Sequence, residues 1–260
     1  MHKQLVLIKF GGSLITYKDQ EDTARYENIE FCADEMRQVY KAQHDTHFII
    51  GTGGGSFAHV KAHEYNLKEG AKTAQQLYGM CSTHNNVRKL NGIVADNFTR
   101  VGIPAFTLSP ASLLMANNGV VDSAYAAPVV QLLKSDCIPM VHGDTILDVA
   151  RGTTLFSTEK VLQVCLEELR SMYREIVVVY CMDIGGIADE NGKIISKIAR
   201  DEALFIHRNA NRDVTGGIEG KLKSARAAAD VADRVYVISG KTRGAIMKAI
   251  LNKRVGTRVV

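Results

Sequence analysis

Short apolar, often β-branched runs alternate along this chain with segments that have the pattern of helices, and this alternation restricts the fold more than any other feature. Six runs are typical of buried strands: residues 5–10, 48–51, 103–108, 137–141, 176–182 and 234–238. Most are separated by long segments with helical stretches, at residues 30–43, 82–101, 126–135, 160–174 and 221–232. Strands joined through helices form right-handed crossovers, so the sequence predicts an α/β protein with a parallel, doubly wound sheet covered on both faces.

Two places depart from this alternation and are predicted to be β-hairpins. One turns at Arg151-Gly152 between residues 146–149 and 153–156, and the other turns at Asn191-Gly192 before residues 193–198. We expect both at the ends of the sheet, where sites form. Only four prolines are present and no linker-like tract, repeat or low-complexity segment occurs, so we expect one continuous domain over residues 1–260.

Charge and cysteine content exclude several classes of protein. The 32 lysines and arginines exceed the 28 acidic residues by only 4, without a basic block, so neither nucleic acid nor a membrane is expected as a partner. The five cysteines are odd in number and never at C-x-x-C spacing, which favours reduced thiols and a cytoplasmic location. The apolar run near residue 1 is too short for a signal peptide, and no stretch approaches the ~18 apolar residues of a membrane span.

The first motif that suggests chemistry is Lys9-Phe10-Gly11-Gly12-Ser13, where a predicted strand ends at a lysine and two glycines. Ligands of doubly wound sheets collect at the carboxyl ends of the strands. Exposed N–H groups of a Gly-Gly turn can hold phosphate oxygens while a lysine neutralises their charge. The motif therefore suits a polyphosphate, although an ordinary strand-to-loop turn has the same pattern.

A second glycine loop follows the next apolar run, in Gly51-Thr52-Gly53-Gly54-Gly55-Ser56-Phe57-Ala58-His59. It fails the dinucleotide pattern, because position 56 is not glycine and no acidic residue is convincingly placed to take a ribose. Three consecutive glycines still allow close approach of an anion, and His59 is placed to donate to it; a structural or solvated histidine is the alternative. His59 and His63 have the spacing of a metal pair, but no third ligand is evident and no metal site is predicted.

A third polar loop, residues 213–221, leads into an Ala-rich helical segment and ends at Lys221. The helix dipole favours anions at a helix N-terminus, so a lysine there is explained by an anionic ligand between it and the N–H groups; a solvated lysine is the alternative. Gly240-Lys241-Thr242 is not a P-loop, because Val235 stands where that pattern requires glycine.

Together these motifs resemble the amino acid kinase superfamily over nearly the whole chain. The resemblance also includes Val141-His142-Gly143-Asp144 and Met182-Asp183-Ile184-Gly185-Gly186-Ile187. Within the superfamily, residues 11–18, the run that ends at His59 and residues 147–157 look most like isopentenyl phosphate kinases. Fosfomycin kinases share the histidine and are close neighbours.

The resemblance implies an open αβα sandwich with a mostly parallel central sheet, usually a homodimer, that transfers the γ-phosphoryl group of ATP with Mg²⁺ to a small phosphate or phosphonate. It implies an acceptor-binding lobe over about residues 1–170 and a nucleotide-binding lobe over about 171–260. The catalytic positions would be Lys9, Lys18, His59, Glu159 and Lys221. The nucleotide positions would be Lys9, Gly11, Gly12, Ser13, Gly55, Asp183, Gly217 and Lys221. The acceptor positions would be Gly54, Gly55, His59 and Thr158.

Departures from the family pattern leave the acceptor open. Ser157-Thr158-Glu159 stands where the family commonly has Ser-Gly-Asp, and we expect Glu159 to organise the lysines in place of that aspartate. The alternatives are a kinase for another small phosphate or phosphonate such as fosfomycin, a nucleotide-sensing module without catalysis, and an NAD-binding oxidoreductase. Which side chains line the pocket for the acceptor's tail is also open, the candidates being Phe98, Leu113, Met115 and Tyr125.

Overall fold

The computed structural model describes residues 4–202 and 217–260, so residues 213–216 of the third motif lie outside the described part. The strands are β1 (Gln4–Phe10), β2 (Thr46–Thr52), β3 (Ala105–Thr107), β4 (Leu114–Asn117), β5 (Val120–Ala124), β6 (Ile138–His142), β7 (Asp144–Asp148), β8 (Gly152–Phe156), β9 (Glu175–Met182), β10 (Lys197–Ile198), β11 (Arg234–Ser239) and β12 (Thr257–Val259). The α-helices are α1 (Gly12–Ile15), α2 (Tyr26–Ala42), α3 (His59–Glu64), α4 (Ala74–Arg100), α5 (Ala127–Lys134), α6 (Thr158–Leu169), α7 (Gly217–Ala229) and α8 (Ala245–Ile250). Single turns of 3₁₀ helix occur at Gly55–Phe57, Leu67–Glu69, Pro110–Ser112 and Arg170–Met172.

The main sheet has eight strands in the order β10-β12-β11-β9-β1-β2-β6-β3. The strands from β11 to β3 pair in parallel, and all six predicted strands are among them. The edge strand β12 runs antiparallel to β11. The central strands are buried on both faces, which is why they appear in the sequence as continuous apolar runs.

Helices cover both faces of this sheet and complete an αβα sandwich. One core lies between the sheet and helices α5, α6 and α7, and it takes Leu5 and Leu7 from β1. The other core lies between the sheet and helices α2, α4 and α8, and it takes Val6, Ile8 and Phe10 from the same strand. This alternation confirms the predicted fold class. In the part of the chain that the structure describes, no helix is long and apolar enough to cross a membrane.

A second sheet of four strands, in the order β5-β4-β7-β8, was not predicted in full. The hairpin predicted near Arg151 is confirmed as the antiparallel pair β7–β8. Strands β4 and β5 were missed because they are short and present exposed residues.

The hairpin predicted at Asn191-Gly192 is only partly correct. A turn does form there, with Gly192 at φ +78° and a hydrogen bond of 2.9 Å from the Asp189 N–H to the Lys193 carbonyl. The returning segment forms one bridge, between Ala188 and Ile194, and its end then joins the main sheet as β10, parallel to β12. The main-chain groups of this segment are thus paired with the sheet edge.

Candidate active site

The first two glycine motifs meet at the carboxyl ends of β1 and β2. A Cβ added at Gly12 would lie 2.4 Å from the main-chain N of Gly55, and one added at Gly53 would lie 2.4 Å from the N of Gly12. The Gly53 N–H also donates to the Phe10 carbonyl at 2.8 Å. Main chain packs on main chain here with no room for a side chain. The two loops, named the paired glycine loops (residues 11–12 and 53–55), therefore form one structure.

Thr16 holds the paired glycine loops together. Its hydroxyl donates to the Gly12 carbonyl at 2.8 Å and accepts from the Ser56 N–H at 3.2 Å. Gly55 lies against it with φ +50°, and a Cβ on Gly55 would come within 2.1 Å of the Thr16 Oγ1 atom. Thr16 lies within residues 11–18, which are part of the sequence resemblance, but no role was predicted for it.

Lys9 forms an ion pair with Glu159. Lys9 is the second-to-last residue of β1, and Glu159 lies in the first turn of α6. Ser157 caps this helix by accepting from the Lys160 N–H at 3.2 Å. The two side chains are 11% and 14% exposed. Burial favours the neutral form of Glu159, but the Lys9 ammonium outweighs this effect and holds the pKa of the carboxyl below its usual value. Glu159 thus meets the lysine that it was predicted to organise.

Thr158 links three elements beneath this ion pair. Its buried hydroxyl donates to the Thr52 carbonyl at the end of β2 at 2.8 Å and accepts from the Gly143 N–H after β6 at 2.9 Å. The side chain is therefore used to join α6 to the ends of two strands. Substrate contact at this position would come from the main-chain N–H at the helix start.

Among the predicted nucleotide residues, Ser13 donates to the Asp183 carboxylate at 2.9 Å. The loop that carries Ser13 is attached to β9, because the Gly11 N–H donates to the Cys181 carbonyl at 2.8 Å. Asp183 directly follows β9, so two predicted nucleotide positions from distant parts of the chain come into contact.

The remaining predicted residues lie on three other segments. Lys18 is exposed in the loop after α1, and His59 is half-buried at the first position of α3. Gly217 begins α7, and Lys221 is half-buried one turn further along that helix. Their predicted contacts with phosphate groups stay predictions.

Helix α4 supplies residues that the sequence did not single out. The side chain of Asn91 donates to the Thr52 hydroxyl at 2.9 Å and to the Val141 carbonyl at 3.2 Å. A Cβ on Gly54 would lie 3.4 Å from Val87, which places this helix beside the second glycine loop. A buried asparagine within an otherwise amphipathic helix is the signal that could have found Asn91.

A histidine–aspartate cluster joins α4 to the start of β7. Asp144 is buried and contacts the Nδ1 atom of His84 at 2.9 Å, and it receives a hydrogen bond from the Thr145 N–H at 2.8 Å. His142 lies 3.8 Å from the other carboxylate oxygen, and burial lowers its pKa. His142 and Asp144 were part of the sequence resemblance, but no role was predicted for them, and His84 was not noticed.

The four tail-pocket candidates lie in three different surroundings. Phe98 is fully buried and its ring lies 6.0 Å from that of Phe10, so it belongs to the core. Leu113 and Tyr125 line a small apolar pocket together with Val129 and Val164, and no residue of the paired glycine loops lines it. Met115 is 37% exposed on β4.

The carboxyl ends of the strands in this αβα sandwich carry two glycine loops, a paired lysine and a serine–aspartate contact. This arrangement is typical of α/β proteins that bind phosphate groups. The chain belongs to the amino acid kinase family, whose family model matches residues 4–239.

Named relatives agree with this membership over nearly the whole length. The chain is 28% identical to the isopentenyl phosphate kinase of Methanothermobacter thermautotrophicus and 26% identical to that of Methanocaldococcus jannaschii, with 98% of each chain covered in both cases. A solved structure of isopentenyl phosphate kinase superposes with a TM-score of 0.79 at 25% identity, covering 98% of this chain and 99% of that chain.

Proposed function

We propose that this protein is an ATP-dependent kinase that transfers the γ-phosphoryl group to isopentenyl phosphate and forms isopentenyl diphosphate. The observation that carries the proposal is the contact between the paired glycine loops, where the main chains of Gly12 and Gly55 pack without space for a Cβ. The full-length similarity to isopentenyl phosphate kinases supports this acceptor.

Phosphoryl transfer requires two anions to be held in line and needs little covalent help from the protein. The N–H groups of Gly11 and Gly53 are bonded within the protein, so the remaining N–H groups of each loop bind one anion, and the contact between the loops sets the distance between the two phosphates. Lys9, near the end of β1, precedes this junction and is held in place by Glu159. Positioned donors and cations of this kind stabilise the charge that develops on the transferring group.

The residues present fit ATP and Mg²⁺. The paired glycine loops have no side chains that would keep phosphate oxygens away from their main-chain N–H groups, and Ser13, next to Gly12, contacts Asp183 at 2.9 Å. Mg²⁺ bound to ATP supplies charge neutralisation on the phosphates and is held largely by phosphate oxygens and water, so few protein ligands are needed. Asp183 offers a carboxylate oxygen beside Ser13.

The other predicted residues act as donors in this proposal. Lys18 and Lys221 neutralise phosphate oxygens, and His59 donates to the acceptor phosphate from the start of α3. An acceptor that is itself a phosphate monoester is already ionised near neutral pH, so no general base is required. The same resemblance supports a homodimer in the cytoplasm, and light scattering of the purified protein tests the dimer.

The proposal is tested by ADP release with Mg-ATP against isopentenyl phosphate, dimethylallyl phosphate, fosfomycin, acetylglutamate and uridine monophosphate. We expect a strong signal with isopentenyl phosphate, alone or with its dimethylallyl isomer. A signal only with fosfomycin would assign the protein to the neighbouring kinase class. ATP binding without turnover on any acceptor would contradict the proposal and favour a nucleotide sensor.

Two matched pairs of variants test the site. Lys221→Ala and His59→Ala should lose most activity while the protein stays folded. Lys223→Ala on the same helix and His63→Ala on α3 change exposed side chains and should retain it. Normal turnover in Lys221→Ala and His59→Ala would refute these site assignments.

A further inference from the structure

A surface pocket of about 440 Å³ lies at the edge of the main sheet, remote in sequence from the paired glycine loops. It is formed by β10, β11, β12 and the segment after α8. Its lining residues are Ser196, Lys197, Tyr236, Asn252, Lys253, Arg254, Val255 and Arg258. We name this site the edge pocket.

The edge pocket contains four cationic side chains, from Lys197, Lys253, Arg254 and Arg258, and no carboxylate among its lining residues. Within residues 4–202 and 217–260, none of these four cations forms an ion pair. A concave site with charge of one sign concentrates ions of the opposite sign. The pocket therefore attracts anions.

Strand register brings two of these cations together. Lys197 of β10 is directly opposite Arg258 of β12, and Arg258 is directly opposite Tyr236 of β11. Residues directly opposite each other in paired strands project their side chains on the same face of the sheet. Like charges in this position destabilise a sheet, and an anion bound between them would remove that repulsion.

Arg258 is oriented by its neighbours. The side-chain oxygen of Asn252 accepts hydrogen bonds from the guanidinium of Arg258 at 2.9 Å and from the hydroxyl of Tyr236 at 2.7 Å. The guanidinium also lies over the Tyr236 ring at 5.9 Å. The Nε atom of Arg258 is buried beneath the guanidinium nitrogens and has no hydrogen-bond partner among the described residues. The edge pocket thus has an ordered cation at its base and exposed cations at its rim.

The edge pocket is separate from the proposed active site. Tyr236 belongs to the core on the α2, α4 and α8 face of the sheet, and Arg258 shares that face with it. Strands β11 and β9 lie between β12, which carries Arg258, and β1, which leads into the paired glycine loops. None of the predicted catalytic or nucleotide residues lines the edge pocket.

We propose that the edge pocket is a second anion site that binds a small molecule with two or more linked phosphate groups. Its volume lies in the range of small-molecule sites, about 300–1,000 Å³. Its four cations balance the charge of a diphosphate or triphosphate better than that of a single phosphate. A nucleotide and a phosphorylated product share this chemistry.

The test is calorimetric titration of the intact protein with inorganic diphosphate. The pocket variant is Lys253→Gln/Arg254→Gln, in which both replaced side chains are exposed, so the fold is preserved. The wild type should show a binding event that is absent or weakened at least about tenfold in this variant, because charge-assisted bonds to phosphate are lost. Turnover of the variant, measured without added diphosphate, should stay at the wild-type level.

A control variant, Lys41→Gln/Lys134→Gln, removes the same net charge from exposed positions on α2 and α5. It should bind inorganic diphosphate as the wild type does. Equal titration curves for the wild type and the pocket variant would overturn the proposal, and so would an equal weakening in the pocket and control variants. Titration of the wild type and the pocket variant with ATP and with isopentenyl diphosphate then distinguishes the two sources, because only the ligand of the edge pocket loses affinity in the pocket variant.

Discussion

The contact between the paired glycine loops predicts the effect of a single methyl group. In Gly12→Ala the new Cβ would lie 2.4 Å from the N and 2.6 Å from the Cα of Gly55, whereas ordinary contacts begin near 3.4 Å. The opposing atoms are main chain and cannot rotate away as a flexible side chain can. The two loops must therefore separate by about 1 Å, the difference between these distances.

A displacement of about 1 Å at a site that positions reacting groups costs roughly 100-fold in rate. This factor corresponds to about 2.7 kcal/mol of transition-state stabilisation. The overpacked junction should also lower the free energy of unfolding by about 1–3 kcal/mol, so the variant stays folded. The assay is kcat/KM for ADP release with saturating isopentenyl phosphate and varied Mg-ATP, accompanied by urea unfolding.

Gly92→Ala is the matched control, because Gly92 lies within α4 and a Cβ there meets nothing within 4 Å. Alanine is the better helix former, so this variant should be neutral or more stable by up to about 1 kcal/mol. If folded Gly12→Ala keeps kcat/KM within about threefold of Gly92→Ala, the contact between the loops does not set the geometry of the site.

Three further changes test the surroundings of the site. Glu159→Gln leaves the Lys9 ammonium buried without its partner and should lower the free energy of unfolding by about 3 kcal/mol, whereas Glu159→Asp should retain more stability and more turnover. Thr158→Val removes both hydrogen bonds of the buried hydroxyl and should cost about 2 kcal/mol in urea unfolding, more than Thr158→Ser. Burial lowers the pKa of His142 in the folded protein below the ordinary 6.5, so its contribution to stability is complete above that pH and is lost as the pH falls below it.

Each of these outcomes has a contradicting result. Glu168→Gln changes an exposed carboxylate on α6, the helix that also carries Glu159. An equal loss of unfolding free energy in Glu159→Gln and Glu168→Gln would show that the Lys9–Glu159 ion pair is not responsible. Equal unfolding free energies for Thr158→Val and Thr158→Ser would refute the role of the hydroxyl. For His142, urea unfolding between pH 5 and 8 should show that the free energy of unfolding falls more steeply toward acid pH in the wild type than in His142→Gln. Parallel curves would refute the assignment.

Much of the fold was predictable because its signals are local. A parallel strand buried on both faces is a continuous apolar run, and a turn against which another main chain packs requires glycine. The six predicted strands and the glycine loops after β1 and β2 rest on such signals. Strands β4 and β5 have only four and five residues with exposed positions, and their pairing is decided by neighbours elsewhere in the chain.

The sequence by itself therefore determined the αβα class and the strand ends at which we propose that phosphate groups bind. Only the tertiary structure decided which side chains act together, because their partners are distant along the chain. Glu159 meets Lys9 across 150 residues, and Asp144 meets His84 across 60. Packing of the sheet and helices brings such groups together, and a pattern with a period of two or 3.6 residues carries no information about contacts at that separation.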